Sequence, residues 1–173
     1  MLRLGTVTYN IAKDWDLETI LTRLPVLGFE GVELRTTHAH GVEVSLSEAQ
    51  REEVRKRFAD SPLELAGLGS AFEYHSDDPA EVRRNIEETK DYIRLAHDVG
   101  APGVKVRPNG IPRGADAQST FRQIGESLLE VGEYGEGFGV EIRVEVHGRE
   151  TAAFPAFATI MSYAKHANVT VCW

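Results

Sequence analysis

Charged and aliphatic residues alternate in the segment Glu-Ile-Arg-Val-Glu-Val-His-Gly at positions 141–148. In a β-strand, this period of two places Arg143, Glu145 and His147 on one face and the aliphatic side chains on the other. A carboxylate on an enclosed face is costly unless a cation meets it. The segment therefore predicts that Glu145 contacts a metal ion or a basic side chain, for which Arg143 and Lys105 are the candidates.

Further ionisable residues follow other apolar stretches. Glu33 suits either a substrate contact or an ion pair with an arginine of a neighbouring strand. His38 and His40 have an H-x-H spacing that suits a ligand site, although solvated loop histidines are the ordinary alternative. His147 suits a substrate contact or a structural hydrogen bond.

Basic residues end the fourth apolar stretch. Lys105 and Arg107 suit an anionic or hydroxylated substrate, and charge balance with the interior glutamates explains one of them equally well. Glu73 and His75 are expected on a solvent-exposed loop that follows the third stretch.

The elements that must position these residues alternate between strand and helix periodicity. Strands are predicted at 4–9, 31–35, 63–68, 103–107, 140–146 and from 169 onward, with helices between them. Such repeated βα units imply parallel strands with right-handed crossovers. A dinucleotide-binding fold is disfavoured because the turn after the first strand, 8–11, contains no glycine.

Helix start and stop signals support this division. Asp78, Pro79 and Glu81 suit the N-cap, N1 and N3 positions of a helix that Gly100 ends. The segment 45–48, Ser-Leu-Ser-Glu, has the pattern of a capping box at the start of an earlier helix.

Four short motifs together resemble the sugar phosphate isomerase/epimerases of the xylose isomerase-like superfamily. They are Gly-Val-Glu-Leu-Arg at 31–35, Gly-Leu-Gly-Ser at 67–70, Gly-Val-Lys-Val-Arg at 103–107 and Val-Glu-Val-His at 144–147. The resemblance implies an α/β fold of the (β/α) TIM-barrel type, with residues 1–173 forming one partial barrel domain. We expect an incomplete barrel of about five βα units and a sixth strand, because a closed barrel needs eight strands and about 250 residues.

The resemblance also implies the chemistry. Family members hold a divalent metal (manganese, magnesium, cobalt or zinc) and move a proton next to a carbonyl group. Glu145 matches the strand-five ligand and is the predicted catalytic residue and metal ligand. Glu33, His38, Arg107 and His147 are the predicted substrate-binding residues. The remaining ligands of the family lie on later strands, which leaves two alternatives: a chain that binds the metal through Glu145, and an inactive fragment that does not retain it.

The bulk composition restricts the partners. The net charge of -8 disfavours a nucleic-acid partner, and hence an apurinic endonuclease, the second activity of the superfamily. One cysteine and no signal-peptide pattern favour a cytoplasmic protein. The expected partner is a small-molecule sugar. A third alternative is a non-catalytic partial barrel that forms homo-oligomers through its open edges.

Overall fold

The computed structural model describes residues 2–172, which form one parallel sheet covered by helices. Strands and helices alternate along the chain, as the sequence predicts. The strands are β1 (Gly5–Val7), β2 (Gly31–Arg35), β3 (Glu64–Glu73), β4 (Gly103–Arg107), β5 (Glu141–Glu145) and β6 (Val169–Cys172). The helices are α1 (Leu17–Val26), α2 (Glu48–Ala59), α3 (Pro79–Val99), α4 (Ala117–Glu136) and α5 (Phe154–Tyr163).

The six strands lie side by side in the order in which they occur in the sequence, and every neighbouring pair is parallel. This order is that of a partial TIM barrel, which confirms the predicted fold class. In the register, Gly69 pairs with both Arg35 and Lys105, and Lys105 also pairs with Arg143. Polar residues of β2, β4 and β5 are thereby brought to neighbouring positions on one face.

The aliphatic residues of the strands pack under the helices and form the core. Val32, Leu34, Val104, Ile142 and Val144 are at most 1% exposed, so the alternating charged residues must face the other side of the sheet. Fully buried residues of the helices complete this layer, among them Ile20, Leu24, Ile93, Ile124, Leu128 and Ile160. Phe154 is the exception among the apolar residues of α5, because its side chain at the start of the helix is 82% exposed.

One predicted helix cap lies at the expected residue, and another lies two residues later than expected. Asp78 caps α3 by accepting a hydrogen bond from the Ala80 amide, and Gly100 ends this helix with φ of 82°. The capping box of α2 is formed by Ser47 and Gln50, two residues later than predicted. Ser47 takes this position because its hydroxyl, and not that of Ser45, accepts from the amide at N3.

Three strands have different bounds from those predicted. β1 is only three residues long, and β5 is shorter by one residue at each end. β3 extends to Glu73 instead of ending at 68, because a register shift between Gly69 and Glu73 restores its pairing with β4. Glu73 is therefore a strand residue and not part of a solvent-exposed loop. None of the helices within residues 2–172 has the length and apolarity that a membrane crossing requires.

Candidate active site

Lys105 occupies the centre of a charge cluster on the inner face of the sheet. Its Nζ lies 2.9 Å from Glu33 Oε1 and 3.3 Å from Glu145 Oε2. The side chains of Lys105, Glu33 and Glu145 are 15%, 20% and 34% exposed, so water screens these charges only in part. The contact between Lys105 and Glu33 is an ion pair at hydrogen-bond distance. One cation thus bridges carboxylates from β2 and β5.

The electrostatic surroundings keep Lys105 protonated. Burial alone lowers the pKa of Lys105, but the adjoining Glu33 and Glu145 carboxylates outweigh burial and raise the pKa above its ordinary value. A protonated lysine is a poor nucleophile and a good donor to an oxygen that carries negative charge. Lys105 is therefore suited to stabilise an oxyanion and not to form a Schiff base.

Glycines in β3 and β4 make room for the charged side chains. A Cβ atom at Gly69 would lie 2.6 Å from Glu33 Oε1, and one at Gly103 would lie 2.7 Å from Arg143 Nε. Arg143 fills the space beside Gly103, where it donates to the Ala66 carbonyl at 2.6 Å and to Glu141 at 3.0 Å. Of the two basic partners predicted for Glu145, the structure therefore selects Lys105.

Another ion pair joins the ends of β3 and β4. Arg107 donates to one carboxylate oxygen of Glu73, and the Asn109 side-chain amide donates to the other at 2.6 Å. His75 Nδ1 lies 3.7 Å from the same carboxylate. Arg107 is thus held by Glu73 at the carboxyl end of the sheet, where TIM barrels place their reactive groups.

A cavity of about 230 Å³ lies between these charged groups. It is lined by Val7, Tyr9, Arg35, Ser70, Lys105, Arg107, Glu145 and His147. Ser70 donates to the Lys105 carbonyl at 2.6 Å, which ties β3 to β4 beside the cavity. Hydroxyl, carboxylate and cationic groups in one small cavity suit a polyhydroxylated ligand.

The three candidate histidines have different surroundings. His147 is exposed, lies just beyond the end of β5 and lines the cavity. His38 lies beside the cavity, where its ring stacks on Tyr9 with centroids 6.4 Å apart. His40 is buried, donates to the Arg35 carbonyl and accepts from the Val42 amide, so it forms structural bonds in place of an H-x-H ligand site.

The residues 2–172 do not assemble a metal site. They contain no group of three or more His, Cys, Asp or Glu side chains in an arrangement that could hold a metal ion. At Glu145 the neighbouring group is an ammonium, which repels a divalent cation. A metal bound by Glu145 would need further ligands from outside the described residues.

Comparison with known families agrees with this geometry. The family model described as "Xylose isomerase-like TIM barrel" matches residues 23–173. The chain belongs to the xylose isomerase-like TIM barrel family. No curated protein sequence matches the chain.

Solved structures share the fold at low sequence identity. The chain is similar to the IolI protein with a bound zinc atom (TM-score 0.82, 16% identity), with 98% of this chain and 62% of that one covered. It is also similar to the probable 3-DHS dehydratase AsbF from Bacillus anthracis (TM-score 0.78, 16% identity, 98% and 62% covered). A third similar structure is D-psicose 3-epimerase from Clostridium cellulolyticum H10 with D-tagatose (TM-score 0.78, 17% identity, 98% and 62% covered). The chain therefore spans about 62% of the length of these proteins.

The structure brings together four of the five predicted site residues. Glu33 and Glu145 meet at Lys105, while Arg107, Glu145 and His147 line the cavity. His38 does not line the cavity, but its ring stacks on Tyr9, which does. Two residues of the site received too little weight in the sequence analysis. Lys105 was assigned either substrate binding or charge balance, and Glu73 was placed on a solvent-exposed loop. The glycines of the Gly-Leu-Gly-Ser segment mark a close approach of other groups, but these groups are Glu33, Arg35 and Arg143, so the segment gave no signal for Lys105 or Glu73.

Proposed function

We propose that the chain carries the substrate-binding part of a sugar isomerase or epimerase, with Glu145 as the group that moves the proton. The observation that supports the proposal is the Glu33–Lys105–Glu145 cluster beside a polar cavity at the carboxyl ends of the strands. Solved structures with this fold include proteins described as D-psicose 3-epimerase and 3-keto-D-glucoside 4-epimerase, which act on sugars.

The proposed reaction uses a carboxylate and an ammonium that lie side by side. The Glu145 carboxylate removes the proton from the carbon next to the sugar carbonyl and becomes a carboxylic acid. The electron pair of the broken C–H bond moves to the carbonyl oxygen, and the Lys105 ammonium stabilises the resulting enediolate. Glu145 then returns the proton to the former carbonyl carbon, while the proton of the hydroxyl group on the first carbon moves to the former carbonyl oxygen, so that the carbonyl and hydroxyl groups exchange places.

Epimerisation needs a second acid on the opposite face of the substrate, and the described residues offer Glu33 as a further carboxylate at Lys105. We propose that His147, Arg107 and His38 act on the substrate hydroxyl groups around this centre. Their positions in or beside the cavity support these roles. Glu145 remains the predicted metal ligand, with Mn²⁺, Mg²⁺, Co²⁺ or Zn²⁺ as the candidates.

Solvent deuterium exchange tests this proposal. The purified chain is incubated in D₂O with D-fructose, D-tagatose or D-psicose, with each of the four metals and without metal. Mass spectrometry then detects carbon-bound deuterium after the hydroxyl groups have been exchanged back in H₂O. We expect one carbon-bound deuterium in at least one sugar, because the removed proton exchanges with solvent before it is returned.

The matched control is Glu141→Gln, which makes the same chemical change on the same strand but at the other end, where Glu141 pairs with Arg143. Glu145→Gln should lower the exchange rate at least 100-fold, within the range that general-base catalysis contributes. The Glu141→Gln chain should keep the parent rate. Exchange no faster than in protein-free blanks with any of the three sugars contradicts the proposal for this chain.

A further inference from the structure

Arg35 is a cation at the cavity that forms no ion pair with a carboxylate among residues 2–172. It ends β2 on the same face as Glu33 and lines the cavity together with Lys105 and Arg107. Among residues 2–172, no carboxylate oxygen lies within 4.0 Å of its guanidinium. Its charged end lies over the Tyr9 ring, 5.9 Å from the ring centroid. Stacking on an aromatic ring holds a guanidinium in place and leaves its N–H groups free to donate in the ring plane.

The other two cations at the cavity are already paired. Lys105 contacts Glu33 and Glu145, and Arg107 contacts Glu73. The Nε of Arg107 is nevertheless buried and has no hydrogen-bond partner among the described residues. A buried donor without an acceptor is costly, so this atom indicates an oxygen that is supplied by a ligand. Two guanidinium groups with unused donors therefore line one cavity.

From these contacts we infer that the cavity takes a polyhydroxylated substrate with an anionic group, a carboxylate or a phosphate, and that Arg35 binds this anion. This inference rests on the proposed function and adds the charge class of the substrate. Arginine forms paired, charge-assisted hydrogen bonds with both kinds of anion, so the shared chemistry is an oxyanion with two acceptor oxygens. Arg107 Nε supplies a further donor to the same ligand.

The net charge of the whole molecule does not itself attract an anion. The chain has a net charge of -8, so a general attraction of anions to its surface is excluded. An anion would bind here because of a local arrangement of donors. Gly69 contributes to this arrangement, because it pairs with both Arg35 and Lys105 and adds no side chain between them.

Three sugars that differ only at carbon six test the inference. D-glucose carries a neutral hydroxymethyl group there, D-glucuronate a carboxylate and D-glucose 6-phosphate a phosphate. Dissociation constants are measured by NMR titration of the ¹⁵N-labelled full chain at constant ionic strength. We expect at least one of the two anionic sugars to bind 10-fold or more tightly than D-glucose, and the tighter of the two identifies the anion.

The variant Arg35→Gln removes the charge, and Arg23→Gln is the matched control on the exposed surface of α1. We expect Arg35→Gln to weaken binding of the preferred anionic sugar about 10-fold and to leave D-glucose binding unchanged. Arg23→Gln should change neither value. Circular dichroism of both variants checks that the fold is retained.

Three outcomes overturn the inference: equal affinity for the neutral and anionic sugars, an equal loss in both arginine variants, or no measurable binding of any of the three sugars.

Failure of this inference is distinguishable from failure of the proposed function. Deuterium exchange that depends on Glu145, together with equal affinities, refutes only the anionic substrate. Tight anion binding that depends on Arg35, without carbon-bound deuterium in the bound anionic sugar or in the neutral ketoses, refutes only the proton transfer.

Discussion

Replacing Lys105 by methionine removes the cation that Glu33 and Glu145 share while keeping a side chain of similar length. The two carboxylates come from β2 and β5, on either side of the strand that carries Lys105, so without the ammonium they repel each other on the same face of the sheet. We expect a clear loss in the free energy of unfolding at neutral pH.

The distances set the size of this loss. At an effective dielectric constant of about 20, charges 2.9 and 3.3 Å apart attract by about 5–6 kcal/mol each before desolvation is subtracted. Removing one partner of a fully buried ion pair costs about 3–5 kcal/mol. The side chains of this cluster are 15–34% exposed, and water screens part of the interaction. We therefore expect Lys105→Met to lower the free energy of unfolding by about 2 kcal/mol.

Urea denaturation followed by circular dichroism measures this change, and Lys13→Met is the control because Lys13 is exposed. The double variant Lys105→Met/Glu33→Gln should regain part of the lost stability, since it removes one of the two repelling charges. A Lys105→Met chain that is as stable as Lys13→Met would refute the reasoning, because the three charges would then not be coupled in solution.

Three more predictions follow from individual contacts. Gly69→Ala should lower the free energy of unfolding by about 1–3 kcal/mol in urea denaturation, because the alanine Cβ would meet Glu33 Oε1 at 2.6 Å. The control Gly137→Ala should be neutral or stabilising, because Gly137 has a φ of -62° that alanine adopts without strain. Asp78→Ala should cost about 1 kcal/mol in the same assay, because the Ala80 amide loses its cap; an unchanged midpoint would contradict the assigned helix start. Burial lowers the pKa of His40, so the folded chain binds fewer protons than the unfolded chain, and the free energy of unfolding should fall as the pH is lowered from 7 to 5.5. His40→Gln should remove part of this pH dependence, and an identical pH profile would show that another group is responsible.

The elements and the fold class could be predicted from the sequence because local patterns determine them. β2 and β4 have the predicted bounds, since each is a short alternating segment between a glycine and an arginine. α3 starts and ends at Asp78 and Gly100 because both signals are local. The capping box was misplaced because Ser45 and Ser47 both have an acidic or amide residue three positions later, and only the loop geometry distinguishes them.

The partners within the site could not be predicted from single segments. The alternation in β5 indicated a cation for Glu145, but the sequence left Arg143 and Lys105 as alternatives. Strand register decides between them: Arg143 fills the space that Gly103 leaves open, and of these two basic residues Lys105 is the one that reaches Glu145. The position of Glu73 depended on the irregular pairing of β3 with β4, which residue types do not reveal.

The rate of solvent deuterium incorporation into a sugar, compared between the parent chain and Glu145→Gln, tests the central claim most directly. We predict carbon-bound deuterium with the parent chain and a rate at least 100-fold lower with Glu145→Gln, because the carboxylate at 3.3 Å from Lys105 moves the proton. Equal rates in the two chains, or no incorporation above the protein-free blank, would contradict the claim.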